Sequence, residues 1–173
     1  AKDTIVATVM SNLGLNKYAR DNGLELLQTK VGDRYVLEEM LKDGFNLGGE
    51  QSGHVILLDY NPTGDGILTS LMLIKSILEE NKKASQMAQM VKLYPQVLVN
   101  AKVDSEKKYG FKDDKEIKNA IEKLEKEFAG NGRVLIRPSG TEPLVRVMIE
   151  GEDQKYIQKK AEEIAKLIEA KLK

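Results

Sequence analysis

The chain has 173 residues, 41% of them hydrophobic and 31% charged, with 27 basic side chains against 27 acidic ones. That length fills one ordinary domain or two small ones, and the balance, −2 over residues 1–95 (10 basic, 12 acidic) and +2 over residues 96–173 (17 basic, 15 acidic), lacks the basic excess of a nucleic-acid binder. The lack of cysteine excludes disulfides and thiolate metal sites, a single histidine argues against zinc, and no apolar run approaches the roughly 20 residues that span a bilayer.

Ala1 to Asp3 lead into a strand with no signal peptide ahead of it, so a cytoplasmic location is expected; the absence of an initial Met points to processing or to a longer parent. Ile5 to Met10 is β-branched and apolar and predicts a buried strand, followed by a helix over Asn12 to Asn22 that Asn22-Gly23 stops. Leu24 to Thr29 predicts a second strand. Asp33 is placed to cap a helix from Arg34 to Leu41, ended by Asp43-Gly44. Asn46 to Gly53 is polar and glycine-rich and precedes a strand predicted over Val55 to Leu58. Asn61 to Gly66 predicts a loop. Ile67 to Glu80 then predicts a strongly apolar helix with Ile67, Leu71, Ile74 and Leu78 on one face. This alternation of strand and helix argues for an α/β layer with some parallel pairing.

Asn81 to Ser85 is polar, and Met87 to Tyr94 is short and helical or irregular before Pro95, so a domain boundary is expected between Asn81 and Pro95. Beyond it the order is clearer. Val97 to Val103 predicts a strand, and Asp114 to Phe128 a helix with Ile117, Ile121, Leu124 and Phe128 inward. Arg133 to Arg137 and Leu144 to Ile149 predict strands joined by Pro138 to Pro143. Gln154 to Leu172 predicts a closing helix whose buried stripe is Ile157, Ala161, Ile164, Ile168 and Leu172. A β-α-β-β-α order is met most simply by an antiparallel sheet covered by two helices.

Four tracts could carry chemistry. Arg137 to Pro143 places an arginine fork, the hydroxyls of Ser139 and Thr141, and a glycine in one inter-strand loop, a set suited to a phosphomonoester. The plainer alternative is a hairpin turn with a solvated arginine. Gly48 to His54 alternates Glu50, Ser52 and His54, which in an extended segment share one side; a carboxylate and a hydroxyl there could bridge sugar hydroxyls, and the alternative is a flexible connection. Lys30 to Arg34 joins a strand to a helix and could offer N–H groups to an anion, or simply cap that helix. Thr63-Gly64-Asp65-Gly66 lacks the ligands of a calcium loop and the Gly-Lys-Ser/Thr ending of a P-loop, and is expected to cap the helix that follows.

Taken together, Gly49-Glu50-Gln51-Ser52-Gly53-His54 and Arg137-Pro138-Ser139-Gly140-Thr141-Glu142-Pro143 resemble the sugar-binding signature of the third domain and the phosphate-binding loop of the fourth domain of the α-D-phosphohexomutase family. Val31-Gly32-Asp33-Arg34 and Thr63-Gly64-Asp65-Gly66 fall where the family has matching tracts. The resemblance implies an α/β chain. It implies an incomplete three-layer α/β/α mixed-sheet domain over residues 1–85, a linker over 86–95, and over 96–173 an α+β domain, an antiparallel sheet with two helices, TATA-box-binding-protein-like. It implies sugar contacts from Glu50, Ser52, His54, Gly32, Asp33 and Arg34, with His54 orienting a hydroxyl or relaying a proton. It implies phosphate contacts from Arg137, Ser139, Gly140, Thr141 and Arg146.

Gln51 after Glu50, and Ser139 to Pro143 followed by Val145-Arg146-Val147-Met148, look most like the members that act on glucosamine phosphates. That branch implies an intramolecular phosphotransferase, an isomerase using Mg2+ and a phosphoserine with glucosamine 1,6-bisphosphate as intermediate, feeding peptidoglycan precursor synthesis. The family's Ser-His-Asn-Pro loop and Asp-Gly-Asp-x-Asp-Arg metal loop have no counterpart here. No metal ligand and no phosphoryl carrier are therefore expected among these residues. The amino-terminal domains of the same polypeptide are the expected partner beside the phosphosugar, with a homodimer left open, and the 173 residues alone are expected to be inactive. The rivals are a member acting on mannose and glucose phosphates, a non-catalytic phosphosugar-binding module, and a nucleotide-binding domain, against which the missing Gly-x-Gly-x-x-Gly weighs.

Overall fold

The computed structural model describes residues 3–173; Ala1 and Lys2, expected ahead of the first strand, lie outside the described residues. The chain divides into two compact units between Leu93 and Tyr94. Among the described residues no helix is long and apolar enough to cross a membrane.

The first unit runs β1 (Thr4–Thr8), α1 (Leu13–Asp21), β2 (Glu25–Thr29), α2 (Asp33–Asp43), β3 (Leu47–Gly49), β4 (Val55–Leu57), α3 (Gly66–Glu80) and α4 (Ala84–Met87). Its sheet has the order β2-β1-β3-β4, with β1 parallel to both neighbours and β4 antiparallel to β3. This is the mixed sheet that the strand–helix alternation predicts. Val6, Val36, Met40, Phe45 and Ile56 form the core between the sheet and α2, each worth about 1.5–3 kcal/mol of apolar burial.

One local prediction needs correction, and two features lie beyond what the sequence pattern states. Leu47 to Gly49, within the polar, glycine-rich stretch, is strand β3. A Leu-Gly-Gly strand has no alternating pattern to read. Its glycine is selected by neighbours instead, since a Cβ on Gly48 would run into the Met40 sulfur and the Val36 side chain. Helix α2 is capped by Gly32, not Asp33. Gly32 sits at φ 133°, which favours glycine, and Asp33 becomes the first helical residue, where its charge meets the positive end of the helix. Finally, the apolar stripe of α3 exists but is not buried: Ile67 is 78% and Leu78 74% exposed, and no α3 residue is buried.

Asp65 caps α3, accepting the N–H groups of Ile67 and Leu68 at 3.0 Å. The Leu68 N–H first, then the Asn61 side chain and the Ile67 N–H, outweigh partial desolvation and hold its carboxyl below the ordinary Asp range. A depressed folded-state value adds stability above the unfolded value of about 3.9, and that stability is lost as pH falls through the folded value. In Asp65→Asn the neutral amide still caps but cannot titrate. Wild type should therefore unfold at higher urea than the variant at neutral pH, with the gap closing toward pH 3; a gap that ignores pH would refute the assignment.

The second unit runs β5 (Gln96–Lys102), a 3-10 turn (Gly110–Lys112), α5 (Lys115–Phe128), β6 (Gly132–Pro138), β7 (Leu144–Gly151) and α6 (Gln154–Leu172). The sheet order is β5-β7-β6, antiparallel throughout. Val145, Val147 and Ile149 of β7 pack under α5 and α6 against Ile117, Leu124, Ile157 and Ile168, as the helical spacings predict. The alternate β7 residues Arg146, Met148 and Glu150 take the other face. There Glu150 is fully buried and bonded to Arg133 directly across on β6.

Candidate functional site

The candidate residues fall into one cluster in each unit. In the first unit, β2 and β3 end at the same edge of the sheet, flanking β1, which brings the turn at Gly32 beside the turn after Gly49. The 50–54 segment is a turn and not an extended strand. Glu50 N–H donates to the His54 carbonyl at 2.9 Å, Gly53 N–H donates to the Glu50 carbonyl at 3.0 Å, and Gly53 has φ 98°. Glu50 and Ser52 nonetheless meet, through chemistry rather than alternation: Ser52 Oγ donates to Glu50 Oε1 at 2.7 Å. The other oxygen, Oε2, accepts the Gly32 N–H at 3.2 Å. One carboxylate thus ties the two turns together, with lone pairs left over.

His54 Nε2 lies 3.9 Å from Asp33 Oδ2, and both side chains are about half exposed. Arg34 sits apart from this group. Its Nε donates to Glu38 at 2.7 Å along the surface of α2, and that bond raises its pKa. Beside the cluster, Asp33, Arg34, Pro62, Thr63 and Gly64 line a cavity of about 220 Å³.

Gly64 is the residue that sequence reasoning missed. A Cβ there would meet the His54 ring at 2.5 Å. Gly64 has no positive φ, so the backbone does not call for glycine; close approach of the imidazole does. The loop that caps α3 therefore also backs His54.

In the second unit, β6 and β7 are joined at residues 139–143. Ser139 N–H donates to the Leu144 carbonyl and Leu144 N–H to the Glu142 carbonyl, both at 2.9 Å. Ser139 is 3% exposed, and its Oγ accepts the Glu142 N–H at 3.2 Å. Its hydroxyl hydrogen remains for another acceptor. Gly140 and Thr141 are exposed, and a Cβ on Gly140 would meet nothing within 4 Å.

Arg137 and Arg146 are direct register partners on neighbouring strands, so both lie on one face. Arg146 Nη2 reaches Glu142 Oε2 at 3.4 Å. Arg137 has no ion-pair partner among the described residues. Its pKa is pushed down, first by burial and then by the charge of Arg146. Like charges facing each other across a ladder are unfavourable, and a half-buried cation without a partner adds to the cost. An anion above the loop would relieve both.

Among the described residues no three His, Cys, Asp or Glu side chains gather in a metal-binding group. The side chains present thus do not fit a magnesium site.

Comparison with known proteins bears on both clusters. Residues 1–94 match the family described as phosphoglucomutase/phosphomannomutase, alpha/beta/alpha domain III, and residues 98–167 match its C-terminal domain. The chain is 58% identical over 172 residues to the phosphoglucosamine mutase of Ruminiclostridium cellulolyticum and 60% identical over 172 residues to that of Caldicellulosiruptor bescii. In both cases 99% of this chain aligns, and it spans 38% of the relative's length. The Aspergillus fumigatus N-acetylphosphoglucosamine mutase superposes with a TM-score of 0.79 at 18% identity, over 96% of this chain and 38% of its own. An N-acetylglucosamine-phosphate mutase of the alpha-D-phosphohexomutase superfamily, solved with substrate, gives 0.76 at 22%, over 95% of this chain and 38% of its own. At those identities the structural matches speak for the fold.

Proposed function

The chain belongs to the phosphoglucomutase/phosphomannomutase family, and from that premise we propose that it carries the substrate-holding loops of a phosphoglucosamine mutase interconverting glucosamine 6-phosphate and glucosamine 1-phosphate. The observation that carries this reading is the half-buried Arg137, without an ion-pair partner among the described residues, facing Arg146 next to a loop whose Gly140 and Thr141 are exposed. Phosphoryl transfer is chiefly positioning and charge stabilisation. In this reading the second unit grips the phosphate that does not react: Arg137 as the fork, Arg146 behind it, with the Ser139 hydroxyl and the Gly140 and Thr141 main chain as donors. The first unit grips the ring. Glu50 accepts from sugar hydroxyls, Ser52 donates or accepts, Gly32 and Asp33 frame them, and His54 orients a hydroxyl or takes its proton.

The parent enzyme's metal chemistry would neutralise charge on the transferring group, and no residue here is assigned to it. The reading includes a 1,6-bisphosphate intermediate and a cytoplasmic amino-sugar pathway. It also makes the 173 residues alone a binder without turnover, because neither the phosphoserine loop nor the metal loop is among them. Titrating the 15N-labelled chain with glucosamine 6-phosphate should move the amides of Gly140 and Thr141 and those of Glu50 and Ser52. Inorganic phosphate, which has no ring, should move the first pair and spare the second. Silence at all four, or glucosamine 1-phosphate formed above blank by the pure chain, would refute the proposal.

A further inference from the structure

We propose that Lys108 is a third cation of the phosphate cradle, one that fixes the loop's main chain and lends its charge to a phosphomonoester dianion. This rests on reading the 139–143 loop as that cradle. Lys108 comes from the stretch between β5 and the 3-10 turn, outside the hairpin, and its Nζ donates to the Ser139 carbonyl at 3.0 Å. Two other polar groups of Ser139 are engaged within the hairpin, its N–H with Leu144 and its Oγ as acceptor from Glu142, and the hydroxyl hydrogen is left over. Lys108 therefore completes the bracing of the one buried residue in the loop.

An ammonium carries three donors, and one is used here, so two remain for an anion. Among the described residues no carboxylate pairs with Lys108. The ammonium lies 5.6 Å from the Tyr109 ring centroid, which shelters it on one side without neutralising it. Lys108 touches the loop from outside the hairpin, and Arg137, Arg146 and the carboxylate Glu142 flank it within the hairpin. Its ammonium adds positive charge at the loop, where a phosphomonoester dianion would bring negative charge. In sequence, Lys108 sits in the charged run Glu106-Lys107-Lys108 and reads as a solvated surface. Only the fold turns it toward the hairpin.

The test uses the whole 173-residue chain with inorganic phosphate as probe, read from the Gly140 and Thr141 amide shifts at low salt and at about 0.3 M NaCl. Lys108→Met should weaken phosphate about tenfold at low salt, and the loss should shrink to about twofold at high salt, because added ions screen a missing charge. Lys108→Arg keeps the charge and a donor and should stay within about threefold of wild type. An equal loss at both salts would reduce Lys108 to a brace and overturn the proposal, as would wild-type affinity in Lys108→Met with Arg137→Met impaired. Absence of any shift in the unmodified chain would overturn the cradle itself.

Discussion

Arg133→Met should destabilise the carboxy-terminal unit by about 3–5 kcal/mol. Arg133 Nε donates to Glu150 Oε2 across the β6–β7 ladder, the Glu150 side chain is 0% exposed, and that of Arg133 is 19% exposed. The backbone around the pair is closely packed. A Cβ on Gly132 would already crowd the Phe128 ring and the Glu150 carbonyl, and Gly151 is packed against Ile157 and Phe128. Removing the guanidinium leaves a buried charge to be desolvated without its principal counterion, which costs more than the intact pair contributes. The double replacement Arg133→Met with Glu150→Leu should recover most of the loss, since a dry apolar pair of similar size needs no counterion. Hydrogen exchange of the β7 amides measures this unit separately from the other. A loss below about 1 kcal/mol in the single variant would show that the pair is screened.

Arg137→Met should have the opposite signature: phosphate or phosphosugar affinity falls about 100-fold, while the unliganded unit is as stable as wild type or more so. Binding is lost because a fork-shaped bidentate donor has no apolar substitute, and Arg137→Lys should recover little of it. Stability is kept because Met retains an apolar stem and removes a charge that burial and the facing Arg146 disfavour. Residues that serve a ligand at the expense of the fold show this split. Urea midpoints without ligand and phosphate titrations of the same two samples decide it. A variant that unfolds early and binds poorly would make Arg137 a structural residue.

The contrast between these arginines marks what the sequence makes legible. Both lie on β6 in an alternating pattern, and nothing in that pattern says that one pairs with a buried carboxylate while the other has no ion-pair partner among the described residues. The pairing of Arg133 with Glu150 depends on strand register, which is set by the hairpin and by the packing of Val145, Val147 and Ile149. The stripes of α5 and α6 were readable because burial there repeats with the helical period. Strand β3 was not, because its Leu-Gly-Gly segment is chosen by the Met40 and Val36 side chains that cross it. The exposure of Ile67 and Leu78 was equally out of reach: periodicity reports that a helix has an apolar face, and only tertiary structure reports what covers it. At the candidate site, composition pointed to Glu50, Ser52, Arg137 and Ser139, but their joining depends on turns. Gly64 against His54 and Lys108 on Ser139 arise from segments remote in the chain and leave no local signature.

The two clusters differ in how much of the chain must be in place before each exists. Arg137, the loop and Arg146 occupy one hairpin, so their geometry is set once a single reversal of the backbone closes, an event of microseconds in isolated peptides. The Glu50 cluster draws on the turns after β2 and β3 and on the segment before α3, and must wait for parallel strands separated by a helix, a slower closure with a larger entropic penalty. During refolding, anion affinity should therefore precede sugar selectivity.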